Sequence, residues 1–244
     1  MARRDPEIRI GGDVQGQLVV GDSNHVISGT DDTGPARPGP GGRTYPGPSV
    51  HNTIICVDVA KFSDPHRTVP HQVAVREGLY RALNTAFSRC GVDWADCYRE
   101  DRGDGVLILV PSDIPKALLS AGLPPALAAA LDEHNQVHTE ESRIRLRLAF
   151  HAGEVRHDAH GATSAALNHA FRLLEAPALK EALDASTGVL AVIASDWFFE
   201  EAIQHDPASG PGLYRRAEIT VKETEAFAWI RPPSLYLTRP TRPY

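Results

Sequence analysis

The apolar positions of the chain fall into two periods, and the switches between them mark out its elements. Asn52 to Ala60 (Asn-Thr-Ile-Ile-Cys-Val-Asp-Val-Ala) is an apolar run of strand length, broken by one carboxylate, Asp58, and it predicts a buried strand. After a loop through Pro65 and Pro70, Val75, Leu79, Leu83 and Phe87 recur at four-residue spacing, one face of a helix over about 71–90. A strand over about 93–100, a turn at Asp104 and a strand over about 105–110 follow. The next helix, from Ile114, is expected to break at Pro124-Pro125 and resume through Ala130. Arg143 to His151 begins with strict alternation, which predicts a half-exposed strand with Arg143, Arg145 and Arg147 on one face. Thr163 to Leu174 reads as a helix ending near Pro177, Gly188 to Ala194 as a short strand, and Asp196 to Ile203 as a helix. Tyr214 to Val221 and Thr224 to Ile230 form a closing hairpin. This β-α-β-β-α-β order is the pattern of an α+β, ferredoxin-like sandwich with its helices on one face of the sheet.

Ahead of that domain the pattern changes. Residues 7–28 are short β-prone pieces separated by Gly-Gly, Gln-Gly and Gly-Asp turns, which predicts a small strip or hairpin. Gly29 to Pro48 is rich in Gly and Pro and reads as a linker, since it cannot bury enough apolar surface to fold. The expected division is a strip over 1–28, a linker over 29–50, a catalytic domain over 51–232 and a Pro-rich tail over 233–244. Composition adds limits: 244 residues, 42% hydrophobic and 23% charged, suffice for one large domain with an appendage. A formal net charge of -6 makes no case for a nucleic-acid or membrane partner. Cys56, Cys90 and Cys97 are odd in number and lack zinc-site spacing, so they read as buried thiols of a reducing compartment. With no apolar segment after Arg3 and Arg4 and no run of spanning length, the expected location is the cytoplasm.

Two acids carry the candidate chemistry. Gly103 and Gly105 flank Asp104, and glycines accept the positive φ that a tight strand reversal needs, so the turn presents one carboxylate. Asp58 in its apolar strand is costly unless paired or metal-bound. Taken as neighbours, two such carboxylates repel unless a cation lies between them, and oxygen donors of this kind suit magnesium carrying substrate phosphates. His157-Asp-Ala-His160 lies in a polar turn without a third or fourth ligand and reads as solvent-facing, and Ser63 and Ser164 have no recognisable base partner for a hydrolase.

The spacing of these pieces from about Asn52 to Ile230 resembles the class III nucleotidyl (adenylate/guanylate) cyclase catalytic domain, of the actinobacterial type. Asp58-Val-Ala-Lys-Phe-Ser63 is similar to the family's first metal motif, Arg102-Gly-Asp-Gly-Val106 to its second, and Asn168-His-Ala-Phe-Arg172-Leu to its Asn-x-Ala-x-Arg-Leu helix. The resemblance implies that Asp58, Val59 and Asp104 hold two Mg2+ (or Mn2+) ions per site. It also implies that Asn168 orients the ribose, Arg172 stabilises the transition state and Lys222 binds phosphate. Lys61, Phe62 and Ser63, directly after the first acid, and Glu100, four before Asp104, fall at substrate positions. The implied substrate is a nucleoside triphosphate, and the implied assembly is a homodimer with sites across its interface. Lys61, Ser164 and Glu223 depart from the family, which usually has glycine at those places. Independently of the resemblance, Asn168 and Arg172 are four apart and share a helical face. Arginine suits phosphate oxygens through its planar fork, and lysine acts as a point charge. The resemblance puts Glu100 where many adenylate cyclases have lysine and guanylate cyclases have glutamate, and since a carboxylate accepts from guanine N1–H and N2–H it implies a preference for guanine. The alternative is a non-catalytic cyclase-homology module that binds nucleotide and signals through its N-terminal strip to another protein; a dinucleotide cyclase is a third reading.

Overall fold

The computed structural model describes residues 49–233 and one short strand pair before them. That pair, β1 (Leu18–Val19) and β2 (Val26–Ile27), is antiparallel, with Leu18 opposite Ile27 and Val19 opposite Val26. The rest of the expected strip, nearly all of the expected linker and the tail from 234 lie outside the described residues. The chain separates into two compact units, residues 1–37 and 38–244, each described by itself.

In the larger unit the elements are β3 (Val50–Val59), α1 (Val69–Arg89), β4 (Tyr98–Asp101), β5 (Gly105–Pro111), α2 (Lys116–Gln136), β6 (Leu146–Asp158) and β7 (Gly161–Thr163). Then come α3 (Ala165–Leu174), α4 (Pro177–Asp184), β8 (Leu190–Ser195), a short α5 (Asp196–Phe198) that runs into a π-turn, β9 (Arg215–Val221) and β10 (Thr224–Arg231). The eight strands form one sheet in the order β4-β5-β3-β6-β8-β10-β9, with β7 folded back on β6. Every pairing is antiparallel except β6 with β8. The fold is α+β, as the alternation of elements predicts.

Four details differ from the sequence expectation. Helices cover both faces of the sheet, not one. On β3, Ile55, Val57 and Val59 enter a core with α1 and α2, while Ile54 and Cys56 enter a second core with α3 and α4. A strand whose residues from Asn52 to Val57 are all buried needs a layer on each side. Second, α2 does not break: Pro124 and Pro125 lie inside a continuous helix. Leu119, Leu123, Leu127 and Leu131 form one fully buried stripe across the prolines. Their burial, about 1.5–3 kcal/mol each, offsets an interior cost of roughly 3 kcal/mol for each proline. Third, α4 follows α3 directly, with Pro177 in its first turn, where a missing N–H costs nothing. Fourth, β6 extends to Asp158, beyond the expected end at His151, and β4 is short, preceded by a 3₁₀ turn over Trp94–Asp96.

Candidate active site

Asp58 sits at the last turn of pairing of β3, opposite Gly105 on β5 and Arg147 on β6. Gly105 has no substitute here, because a Cβ at that position would lie 2.1 Å from the carbonyl oxygen of Val57. Gly103 adopts φ +84°, open only to glycine at low cost. The turn is closed by hydrogen bonds from the Val59 amide to the Asp104 carbonyl at 2.8 Å and from the Arg102 amide to the Gly105 carbonyl at 2.9 Å. Asp104, exposed, is thereby carried to the end of the strand that bears Asp58.

Arg147 holds Asp58 through two parallel bonds: Nε donates to Oδ1 at 2.8 Å and Nη2 donates to Oδ2. Their side chains are 14% and 20% exposed, so this is a largely desolvated pair. Burial pushes the Asp58 carboxyl up to about 6, against the pull of Arg147, and the charge of Asp104 pushes the same way as burial. Lys180 of α4 acts on Asp58 more weakly, as a further cation.

Among the described residues no group of three or more His, Cys, Asp or Glu side chains is arranged to hold an ion. A closed zinc cage is therefore not built here. Two carboxylates are what magnesium commonly takes from protein, with water and substrate phosphates completing its shell, so Asp58 and Asp104 fit that ion. Lys61 is exposed, at φ +56°, in the turn after β3; Ser63 is exposed; the Phe62 side chain packs against the core of α1 and α2. His157 packs edge-on against Tyr98 with ring centroids 4.7 Å apart.

A second cluster gathers around α3, which begins at Ser164, whose hydroxyl accepts the Leu167 amide at 3.0 Å. Asn168 is exposed on the helix. Arg172 donates to Glu223 at 3.1 Å and lies 3.6 Å from Glu175, while Lys222 lies 3.9 Å from the same Glu175. Arg172 and Lys222 thus meet, but each is already partnered by a carboxylate. Lys222 is at φ +52° in the β9–β10 turn. The register sets the two clusters apart. Leu146 pairs with Leu190 at the start of β8, so the Asp58–Arg147 pair lies beside that end, whereas Ala228 pairs with Ser195 at the other end of β8 and the β9–β10 turn projects beyond it. Glu100 on β4 is partnered too: Arg102 lies 2.9 Å away and the Tyr98 hydroxyl donates at 3.3 Å. Arg102 is itself stacked over Phe171 of α3 at 5.0 Å.

No family model and no curated protein sequence matches the chain. Solved structures do. The adenylate/guanylate cyclase/hydrolase from Silicibacter pomeroyi superposes with a TM-score of 0.54 at 21% identity, over 76% of this chain and 98% of that one. A bacterial light-regulated adenylyl cyclase superposes with a TM-score of 0.51 at 14% identity, over 77% of this chain and 54% of that one. The fold is that of a nucleotidyl cyclase catalytic domain. Within this cyclase fold the two acids found by sequence stand at adjacent strand ends, and the helix residues Asn168 and Arg172 stand on α3. What sequence reasoning missed are the partners: Arg147, Arg102, Tyr98, Glu175 and Lys180. The alternation around Arg147 was visible, but nothing in the chain order says that it faces Asp58.

Proposed function

We propose that the protein converts a nucleoside triphosphate to a 3',5'-cyclic nucleotide and pyrophosphate. The observation that carries this is the pairing that sets Asp58 opposite Gly105, and so beside the Asp104 turn, in a cyclase fold. Asp58, the Val59 backbone and Asp104 would hold Mg2+ or Mn2+, two per site, and the ions would supply charge to lower the pKa of the 3'-hydroxyl and neutralise the leaving phosphates. In the reaction the 3'-oxygen bonds to the α-phosphorus, the bond from that phosphorus to the bridging oxygen breaks so that pyrophosphate leaves with it, and the hydroxyl proton passes to solvent water.

The chain's own residues bind and orient. Arg147, beside the acids, offers a planar fork to the triphosphate once Asp58 turns to a cation. Arg172 and Lys222 would exchange Glu223 and Glu175 for phosphate oxygens, and Arg172 keeps one buried donor, Nε, without a hydrogen-bond partner in the structure. Asn168 would hold the ribose, with Lys61, Phe62 and Ser63 following the triphosphate. Glu100 and Arg102 side by side complement guanine, the carboxylate accepting from N1–H and N2–H while the guanidinium donates to O6. Because the β9–β10 turn with Lys222 projects beyond the end of β8 opposite to Asp58 and Arg147, the arrangement favours a homodimer in which each copy completes the other's site.

The same ion pairs favour a second reading, a nucleotide-binding module without catalysis, since Asp58, Glu100, Arg172 and Lys222 each already face an opposite charge. Incubation with each of the four NTPs and Mg2+ or Mn2+, followed by chromatography of the product, separates the two. The proposal expects pyrophosphate and a cyclic mononucleotide, GTP being turned over fastest. Binding without pyrophosphate release contradicts it and supports the module; a dinucleotide product would show a different transferase.

A further inference from the structure

The turn that carries Asp104 is gripped from outside the site, by α1. Arg76 donates to Asp101 Oδ1 at 3.1 Å and Oδ2 at 2.5 Å, and also to the carbonyl of Gly103. Tyr80, one turn along the same helix, donates its hydroxyl to Asp101 Oδ2 at 2.7 Å. Asp101 Oδ1 accepts the Gly103 amide at 2.7 Å. Both backbone polar groups of Gly103 are therefore committed, and the Asp104 carbonyl is committed to Val59. With the peptides on both sides of Asp104 fixed, its carboxylate keeps only its own side-chain rotations.

Burial pushes the Asp101 carboxyl up, but the bonds from Arg76, Tyr80 and Gly103 outweigh it and hold the group below its usual range, so it stays an acceptor. The helix that grips the turn is also the one that the loop after Asp58 leads into. One element thus references both acids, covalently to β3 and through hydrogen bonds to the β4–β5 turn.

We propose that Asp101, clamped by Arg76 and Tyr80, is a positioning residue that sets the Asp104 carboxylate where it shares a divalent cation with Asp58. The proposal rests on the metal reading given under the proposed function. Groups that hold a metal-binding carboxylate in place commonly contribute tenfold to a hundredfold in metal affinity when removed. Asp101 touches neither ion nor substrate; it acts through the turn.

The test uses the full chain and Mn2+ alone, titrated by electron paramagnetic resonance, with amide hydrogen exchange of residues 102–105 and the melting temperature read in parallel. Asp104→Asn should abolish measurable binding. Asp101→Asn should weaken Mn2+ affinity about tenfold or more and speed exchange at Gly103. Tyr80→Phe, which removes one hydroxyl, should move both in the same direction by less, with an unchanged melting temperature. A merely structural role would lower the melting temperature and leave the affinity of the folded protein intact. If Asp104→Asn loses Mn2+ while Asp101→Asn and Tyr80→Phe bind as the wild type does, the positioning role is overturned and the metal reading stands. If the wild type binds no Mn2+, or Asp104→Asn binds it normally, the metal reading itself falls, and this inference with it.

Discussion

Asp58, Glu100, Arg172 and Lys222 each already have an opposite charge beside them, but the pairs differ in how firmly they hold. Asp58 and Arg147 are mostly desolvated and bonded in parallel, so parting them without replacement exposes a buried charge, at a cost of several kcal/mol. The Glu223 side chain is 76% exposed, and its bond to Arg172 is a surface ion pair, screened by water and salt. Nucleotide phosphates should therefore displace Glu223 readily. Glu223→Gln should tighten nucleotide binding about two- to five-fold at low salt, the size of one exposed ion pair, with the gain shrinking as salt rises. Isothermal titration with a non-hydrolysable NTP reads this, and an affinity unchanged or weakened would show that Glu223 does not compete. At this scale the sequence revealed the acids but not their partners. Asp58 stands out because a carboxylate in an apolar run must be compensated, and Asp104 because glycines flank it. Arg147 lies 89 positions from Asp58, and only strand register brings them together. Glu223 lies 51 positions from Arg172 and meets it only through the fold, whereas Glu175 is three positions on along the same helix end.

At the scale of elements, β3, β6 and α3 gather a half-buried histidine cluster that local pattern did not suggest. His151 of β6 bonds Ser195 of β8 at 2.8 Å and tilts against His169 of α3 with ring centroids 4.8 Å apart; His51 of β3 lies near, itself 3.6 Å from Glu154. Burial, with the charges of His169 and His51, lowers His151 from 6.5 to about 4. The unfolded chain takes up this proton as pH falls through 6.5 and the folded chain only near 4, so over that window the unfolded state binds more protons and stability falls. At pH 5 the loss is about 2 kcal/mol. The raised carboxyl of Asp58 works in the opposite sense, since it binds its proton more tightly when folded. The comparison of wild type with His151→Gln isolates the histidine: urea unfolding should show their stability difference shifting by about 2 kcal/mol, against the wild type, between pH 7.5 and pH 5. A pH-independent difference would contradict it. Elements themselves were legible where one periodicity ruled, as in α1, whose Val75, Leu79, Leu83 and Phe87 are all buried. They were misread where packing overrides local preference. The prolines of α2 signal a break, yet the leucine stripe carries the helix through them.

For the whole molecule, the unbroken burial of β3 explains why helices lie on both faces, and the two faces divide the labour. The face of α1 and α2 is core and scaffold, with α1 reaching out to grip the Asp104 turn. The face of α3 and α4 receives Asp58 and Arg147 and, farther along the sheet, Arg172 and the β9–β10 turn with Lys222. The fold class, though not the second helical layer, was legible because the order of strands and helices constrains topology strongly. The relation between the clusters was not, because it depends on where β10 joins β8. Under the proposed function the acids of one copy serve the cations of another, and mixing two damaged chains tests this most directly. Asp104→Asn and Arg172→Ala should each release almost no pyrophosphate from an NTP with Mg2+ or Mn2+. Mixed in equal amounts and allowed to exchange subunits, half the dimers carry one intact site of two, and about a quarter of wild-type release should return. A mixture as inactive as its components, beside an active wild type, would contradict the shared site.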